Sequence, residues 1–328
     1  MEMASTEESG FPSRSLPQMF PQASGFGITG SQFINVSGDV NYHPPTMPEA
    51  LQVGNTNRHE ERYSDCESYS AQLTTRGRGY PLYVPQPRGN LPTEYQRHGV
   101  AIGDVGRITD DGIFDFFFNI YLPADHPINA VGTPDNYHPL TPYYDSADVT
   151  PFDYSSDHVS TPWSIRKLDQ QLAAKCVDRL TELFGVLNHS SASRDFVFDC
   201  DGPQGALVVN PFGSHVQKLD NLEAMLRYTR QNAEAWYRYV NGPRGRRLPN
   251  GSLYLVTGWE KTRAWGIATF QDLATQSPFR ISFTGANSMA EYRWSASGPA
   301  RTKNSMTLPP SDEPLNQTIF IHGFSIAL

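Results

Sequence analysis

The sequence predicts an α+β fold with a largely antiparallel sheet, and three observations carry that expectation. Strand-like runs come in groups instead of alternating one by one with helices, which disfavours a regular βαβ wrap. An Asp-Gly turn joins two β-rich runs between residues 100 and 122. Two segments, at about 168–188 and 221–241, carry apolar residues at helical spacing.

The hairpin is the clearest element. Val100 to Thr109 leads into Asp110-Asp111-Gly112, and Ile113 to Leu122 returns. Gly112 supplies the positive φ that a tight turn needs. Phe116, Phe117 and Phe118 are too apolar for a half-exposed strand and are expected in the interior. The first predicted helix has Leu168, Leu172, Cys176, Leu180, Leu183 or Phe184, and Leu187 on one face. The second begins at Asp220 and Glu223, spaced like a capping box. Its expected buried stripe is Leu222, Met225, Leu226, Thr229, Ala233, Trp236 and Val240. Asn241-Gly242-Pro243 should end it, with Gly242 in the left-handed cap. Strands are expected at 196–200, 205–210, 252–257, 264–270, 279–284, 290–295 and 317–326. Residues 123–163 hold seven prolines and read as a long loop.

Residues 1 to about 60 are rich in Pro, Ser, Gln and Asn. They form an expected disordered head, because they cannot bury enough surface to offset ordering entropy. The α+β domain is expected over 61–328. Within the head, Gly25 to Tyr42 is rich in β-branched and aromatic residues and has one charge. It reads either as a self-assembly segment built on Phe33, Ile34, Val36 and Val40, or as a solvated linker.

Composition narrows the function. The net charge of −8 and the pI near 5.6 oppose general nucleic-acid binding, which needs a cationic face. The acidic start Met1 to Glu8 is neither a secretory nor a mitochondrial leader, and no apolar run is long enough for a membrane helix. With three widely spaced cysteines, Cys66, Cys176 and Cys200, a reducing, cytoplasmic setting is expected.

No sequence motif announces catalysis, so no catalytic, cofactor or metal residues are expected. Gly25-Phe26-Gly27-Ile28-Thr29-Gly30 spells a dinucleotide fingerprint, but β-type residues follow it where a helix is required. The pairs Asp110-Asp111, Asp199/Asp201 and Asp312-Glu313 sit at Gly or Pro turns and read as turn formers. His126, His138, His215 and His322 show no paired metal-ligand spacing. Cys200 lies between two aspartates, which disfavours its thiolate. Arg238, Arg244, Arg246 and Arg247 cluster with Trp236, Tyr237 and Tyr239. They could touch phosphates or an anionic membrane, and the simpler reading is charge complementing a helix C-terminus.

Residues 63–328 resemble a large uncharacterised family of mushroom-forming fungi. The resemblance rests on Arg76 to Pro87, Gly103 to Thr109, Gly112 to Ile120, Gly202 to Leu207, Asn250 to Gly258 and Pro314 to Thr318. It implies a fungal source and no defined activity. Relatives continue past the final strand, which implies truncation at Leu328. Ser31 to Asp39 is similar to N-terminal motifs of fungal nucleotide-binding oligomerisation receptors, where assembly is the suspected role. Leu253 to Thr262 looks like a strand of gasdermin-type pore formers. Together these imply an interaction or signalling protein that binds a protein partner or itself. The alternatives are a membrane-active pore former and an enzyme of unrecognised type.

Overall fold

The computed structural model describes residues 27–29, 64–168, 195–271, 278–286, 291–306 and 315–328. The helix expected at about 168–188 lies outside them except for Leu168. Phe33, Ile34, Val36 and Val40 also lie outside.

The fold is α+β, and every strand pairing among the described residues is antiparallel. The largest sheet has eight strands. Its spine runs β1 (Gly27–Thr29), β16 (Gln317–Ala327), β11 (Leu253–Thr262), β10 (Ser214–Leu219) and β5 (Val149–Tyr154). The hairpin β3 (Asp104–Ile108) and β4 (Phe114–Asn119) joins through β11, and β2 (Tyr80–Pro81) joins through β16. Two further sheets among the described residues have four strands each. One is β15 (Arg301–Met306), β12 (Ala264–Phe270), β9 (Gly205–Asn210) and β6 (Asp157–Ser160). The other is β14 (Glu291–Ala296), β13 (Phe279–Ala286), β8 (Phe196–Cys200) and β7 (Ile165–Lys167).

Alternation explains how the two smaller sheets stack. Phe196, Phe198 and Cys200 of β8 face Leu207 and Val209 of β9, with Ile281 and Phe283 of β13 and Ala268 and Phe270 of β12 in the same cluster. The intervening residues Ala206, Val208, Trp265 and Ile267 point the other way. They pack on Tyr69 and Leu73 of α1 (Asp65–Thr74) and on Ile319 and Phe320 of β16. The β9–β12 sheet is therefore a middle layer, apolar on both faces, which is why its strands read as continuous apolar runs.

The hairpin forms as predicted, with Gly112 at φ 71°. A register shift between Val105 and Gly106 leaves Phe117 as the extra residue of a bulge. Phe117 and Phe118 thus join the cluster under α3 (Glu223–Asn241), while Phe116 packs on the opposite side with Tyr95 of α2 (Thr93–His98). All three rings are fully buried. Phe118 meets Trp236 and Tyr239 edge-on, at 5.6 and 6.0 Å between centroids.

The stripe expected on α3 is the one it buries, with Leu222 only partly covered at the N-cap. Its ends differ from expectation. No capping box forms: Leu222 is the N-cap, and Asn221 Oδ1 accepts from the Glu223 amide at 3.3 Å. Asp220 accepts from the Thr150 hydroxyl instead, at 2.5 Å. Gly242 sits at φ −88°, and the left-handed positions fall later, at Gly245 and Arg247.

The Pro-rich segment is irregular only to about residue 148. Beyond it, β5 extends the large sheet and β6 extends the β9–β12 sheet. Pro151 is tolerated because β5 is an edge strand.

Candidate functional site

Three places in the fold concentrate chemistry: the outer edge of β16, the buried carboxylates, and a cleft beside α1. At the edge, β16 pairs with β11 along one side. Along the other side, β2 covers Phe320 and Ile321, and β1 covers Ser325 to Ala327. Here Gly27, Ile28 and Thr29 stand opposite Ala327, Ile326 and Ser325. Part of the glycine-rich head segment, Gly27–Thr29, is thus a strand. The end of β16 is also tied from within. Tyr237 Oη donates to the Ile326 carbonyl at 2.5 Å and accepts from the amides of Gly251 and Leu253. The Asn250 side chain both donates to the Leu328 carbonyl and accepts from its amide.

The buried carboxylates differ in their company. Glu260 on β11 is 1% exposed. It accepts from Arg78 Nε at 3.0 Å and from Arg78 Nη2, and from the Ser214 hydroxyl at 2.5 Å. Arg78 also reaches Asp157 at 2.7 Å and lies 3.7 Å over the Tyr154 ring. Burial pushes the Glu260 carboxyl up, and Arg78 opposes that shift. Asp115 on β4 meets Arg88, Arg107 and Arg246, at 3.4, 3.2 and 3.1 Å.

Asp104 opens β3 and is fully buried. It accepts from the Ala101 amide at 2.7 Å, Asn119 Nδ2 at 2.8 Å and the Tyr95 hydroxyl at 3.2 Å. Burial raises its pKa to about 7 despite these donors. Lys261 is buried too, donates to the His98 carbonyl at 2.6 Å and lies 4.2 Å from the Trp259 ring centroid. Desolvation lowers its pKa to about 7, against the pull of Asp104. No hydrogen bond or ion pair links the two, and neither is open to a substrate.

A cleft of about 560 Å³ lies between α1 and the end of β3. Cys66, Ser68, Ser70 and Gln72 line one side, and Tyr80, Thr109, Asp110 and Gln204 the rest. Ser68 Oγ and Gln72 Oε1 are buried without a hydrogen-bond partner. Burial raises the Cys66 thiol above its ordinary value, which leaves it a poor nucleophile. The helix was missed in the sequence, although Ser64 and Glu67 form a reciprocal capping box, at 3.2 and 2.7 Å.

The structure disperses the basic cluster at the end of α3. Arg238 pairs with Glu234 on the helix surface, at 2.7 Å. Arg244 donates to the Val131 carbonyl at 2.7 Å. Arg246 turns to Asp115, and Arg247 is exposed. The four do not share one surface role. Arg88 and Arg107, far away in the chain, are the partners sequence reasoning missed.

The histidines sit in structural roles. His126 caps a short 3-10 turn, accepting from the Ile128 amide. His138 bonds the Asn136 carbonyl. His215 pairs with Asp153 at 2.5 Å. Burial lowers His322 to about 4. Burial, with Asp199 and Asp201, pushes Cys200 up to about 12. Asp199 pairs with Arg166 and Arg280. Among the described residues, no group of three or more His, Cys, Asp or Glu side chains is placed to hold a metal, and no helix is long and apolar enough to cross a membrane. Cys176, Asp312 and Glu313 lie outside the described residues.

No family model, curated protein or solved structure matches the chain.

Proposed function

We propose that the protein is an interaction protein that associates by strand addition at the outer edge of β16, with its own head segment as the resident strand. The observation that supports this is the pairing of Gly27–Thr29 with Ser325–Ala327. An exposed strand edge is a template for another chain. Extended peptides bind such edges through main-chain hydrogen bonds. Release of β1 exposes an edge and a β-prone segment together, and the same pairing between two copies links them.

The test combines two measurements. Ile28→Pro removes the central residue's amide and should raise hydrogen exchange at Ser325 to Ala327, with self-association altered. A peptide covering residues 20–45 should form fibres and seed the full chain, and the double variant Ile34→Pro/Val36→Pro should not. Unchanged exchange together with a peptide that stays monomeric sinks the proposal.

A second reading, a membrane-active pore former, draws on the neighbouring strands β11 and β16, ten and eleven residues long. Those lengths suit a membrane-spanning strand. Neither strand alternates apolar with polar residues along its length, as a barrel wall needs, which is why this reading ranks second. Release of dye from anionic liposomes is its direct test.

A further inference from the structure

We propose that the three guanidiniums around Asp115 form a binding site for a phosphate monoester, presented by a free phosphorylated metabolite or by a lipid headgroup. The charges around Asp115 do not balance. One carboxylate neutralises one arginine, yet Arg88, Arg107 and Arg246 all converge on Asp115. Two positive charges are left over. The chain as a whole carries −8, so this local excess runs against its average. A phosphate monoester near neutral pH carries nearly two negative charges, which matches the excess.

The donors are also free to act. Arg107 and Arg246 each approach Asp115 through the inner nitrogen, Nε. Arg246 Nε makes this contact as an ion pair without hydrogen-bond geometry. Among the described residues, no other hydrogen bond or ion pair reaches the three guanidinium groups. Paired N–H groups on a planar fork are what bind a tetrahedral oxyanion in bidentate fashion, and lysine cannot reproduce that. The three side chains are 29%, 30% and 31% exposed, while that of Asp115 is 3% exposed. The cations are recessed but reachable, and the competing carboxylate lies beneath them. The Phe117 ring centroid is 6.0 Å from the Arg246 guanidinium.

The scaffold is rigid before any ligand arrives. Arg107 and Asp115 are opposite each other in the hairpin register. Arg88 sits in a turn closed by the Leu91 amide on its carbonyl, and Gln96 of α2 holds the Gly89 and Leu91 carbonyls. The Arg246 amide bonds the Val240 carbonyl, and Asn241 clamps Leu248 from both sides. Three separate segments are fixed around one point, so ordering costs on binding are small.

The experiment titrates the full chain with inorganic phosphate by calorimetry, at constant ionic strength in chloride. A parallel arm measures flotation with phosphatidylcholine vesicles, with and without phosphatidic acid. Saturable phosphate binding is expected, weakened at least tenfold in Arg107→Gln and Arg246→Gln. Asp115→Asn removes the internal competitor and should tighten phosphate binding. If that variant does not fold, Arg246→Lys keeps the charge, loses the fork and should weaken binding by an intermediate factor. Binding of inorganic phosphate that the glutamine variants lose assigns a free ligand. Flotation that needs phosphatidic acid and is lost in the same variants assigns the lipid source. Absence of both kinds of binding, or binding unchanged by Arg107→Gln and Arg246→Gln, overturns the proposal.

Discussion

Glu260 and Asp115 are both buried carboxylates in the same sheet, and they are balanced in opposite senses. At Glu260 one guanidinium, Arg78, serves two acids, with Asp157 as the second. At Asp115 three guanidiniums crowd one acid. The first arrangement is short of cations and closed: Arg78 is 13% exposed, and its donors are committed to Glu260 and Asp157. The second has cations in excess, each about 30% exposed, and the terminal nitrogens of Arg107 and Arg246 make no hydrogen bond or ion pair among the described residues. A stabilising ion pair and a ligand-ready one are thus distinguished by stoichiometry and by which nitrogen makes the contact.

The contrast breaks most sharply at Arg78. Arg78→Met leaves Glu260 buried without a cation and should cost about 3–5 kcal/mol of stability, since stranding one partner of a buried pair is expensive. Urea titration measures it, and adding Glu260→Gln should recover part of the loss. Full stability in the single variant would place the Glu260 charge elsewhere. Asp115→Asn should cost less, about 1–3 kcal/mol, because the arginines it leaves are partly solvated. Salt sharpens the difference. Screening should shrink the Asp115→Asn loss at high ionic strength and leave the Arg78→Met loss nearly unchanged.

Lys261 and Asp104 supply the pH arm. Lys261 is lowered to about 7 in the folded chain, while an unfolded lysine holds its proton to about 10.4. The unfolded state binds more protons between those values, so this residue's contribution rises with pH there, by up to about 1.4 kcal/mol per unit. Asp104 is raised to about 7, so its contribution is present below about 4 and is lost as pH rises through 7. The pair alone therefore places a stability minimum near neutrality. Subtracting the pH profile of Lys261→Met from that of the parent should give a difference that is constant below pH 7 and changes toward pH 9. A flat difference throughout would mean that Lys261 keeps its proton. The smallest effect belongs to Arg238→Ala. It breaks a surface pair whose side chains are 72% and 78% exposed, so thermal melting should detect no more than about 0.5 kcal/mol.

Local chemistry was legible in the sequence, and partnership was not. Gly112 announced its turn, and the stripe from Met225 to Val240 announced α3, because a helix on an apolar sheet must be apolar on one face. β10 and β15 went unseen, since His215-Val-Gln-Lys and Arg301-Thr-Lys-Asn present polar side chains to solvent from edge or near-edge positions. α1 went unseen because it buries Ser68, Ser70 and Gln72, which blur any apolar stripe. β8 and β9 follow one another in the sequence, yet they pair into different sheets. The Asp115 cluster draws on residues 88, 107 and 246, and no local pattern links them.

The position of β16 also bears on biosynthesis. It lies between β11 and the pair β1 and β2, all of which leave the ribosome before it does. The nascent chain can close the β3–β4 hairpin and wind α3 early, since both are local. The large sheet stays split until residues 317–327 emerge, with the flank of β11 uncovered. Its assembly is therefore a late, long-range step, and chaperone engagement during synthesis should concentrate on that uncovered flank.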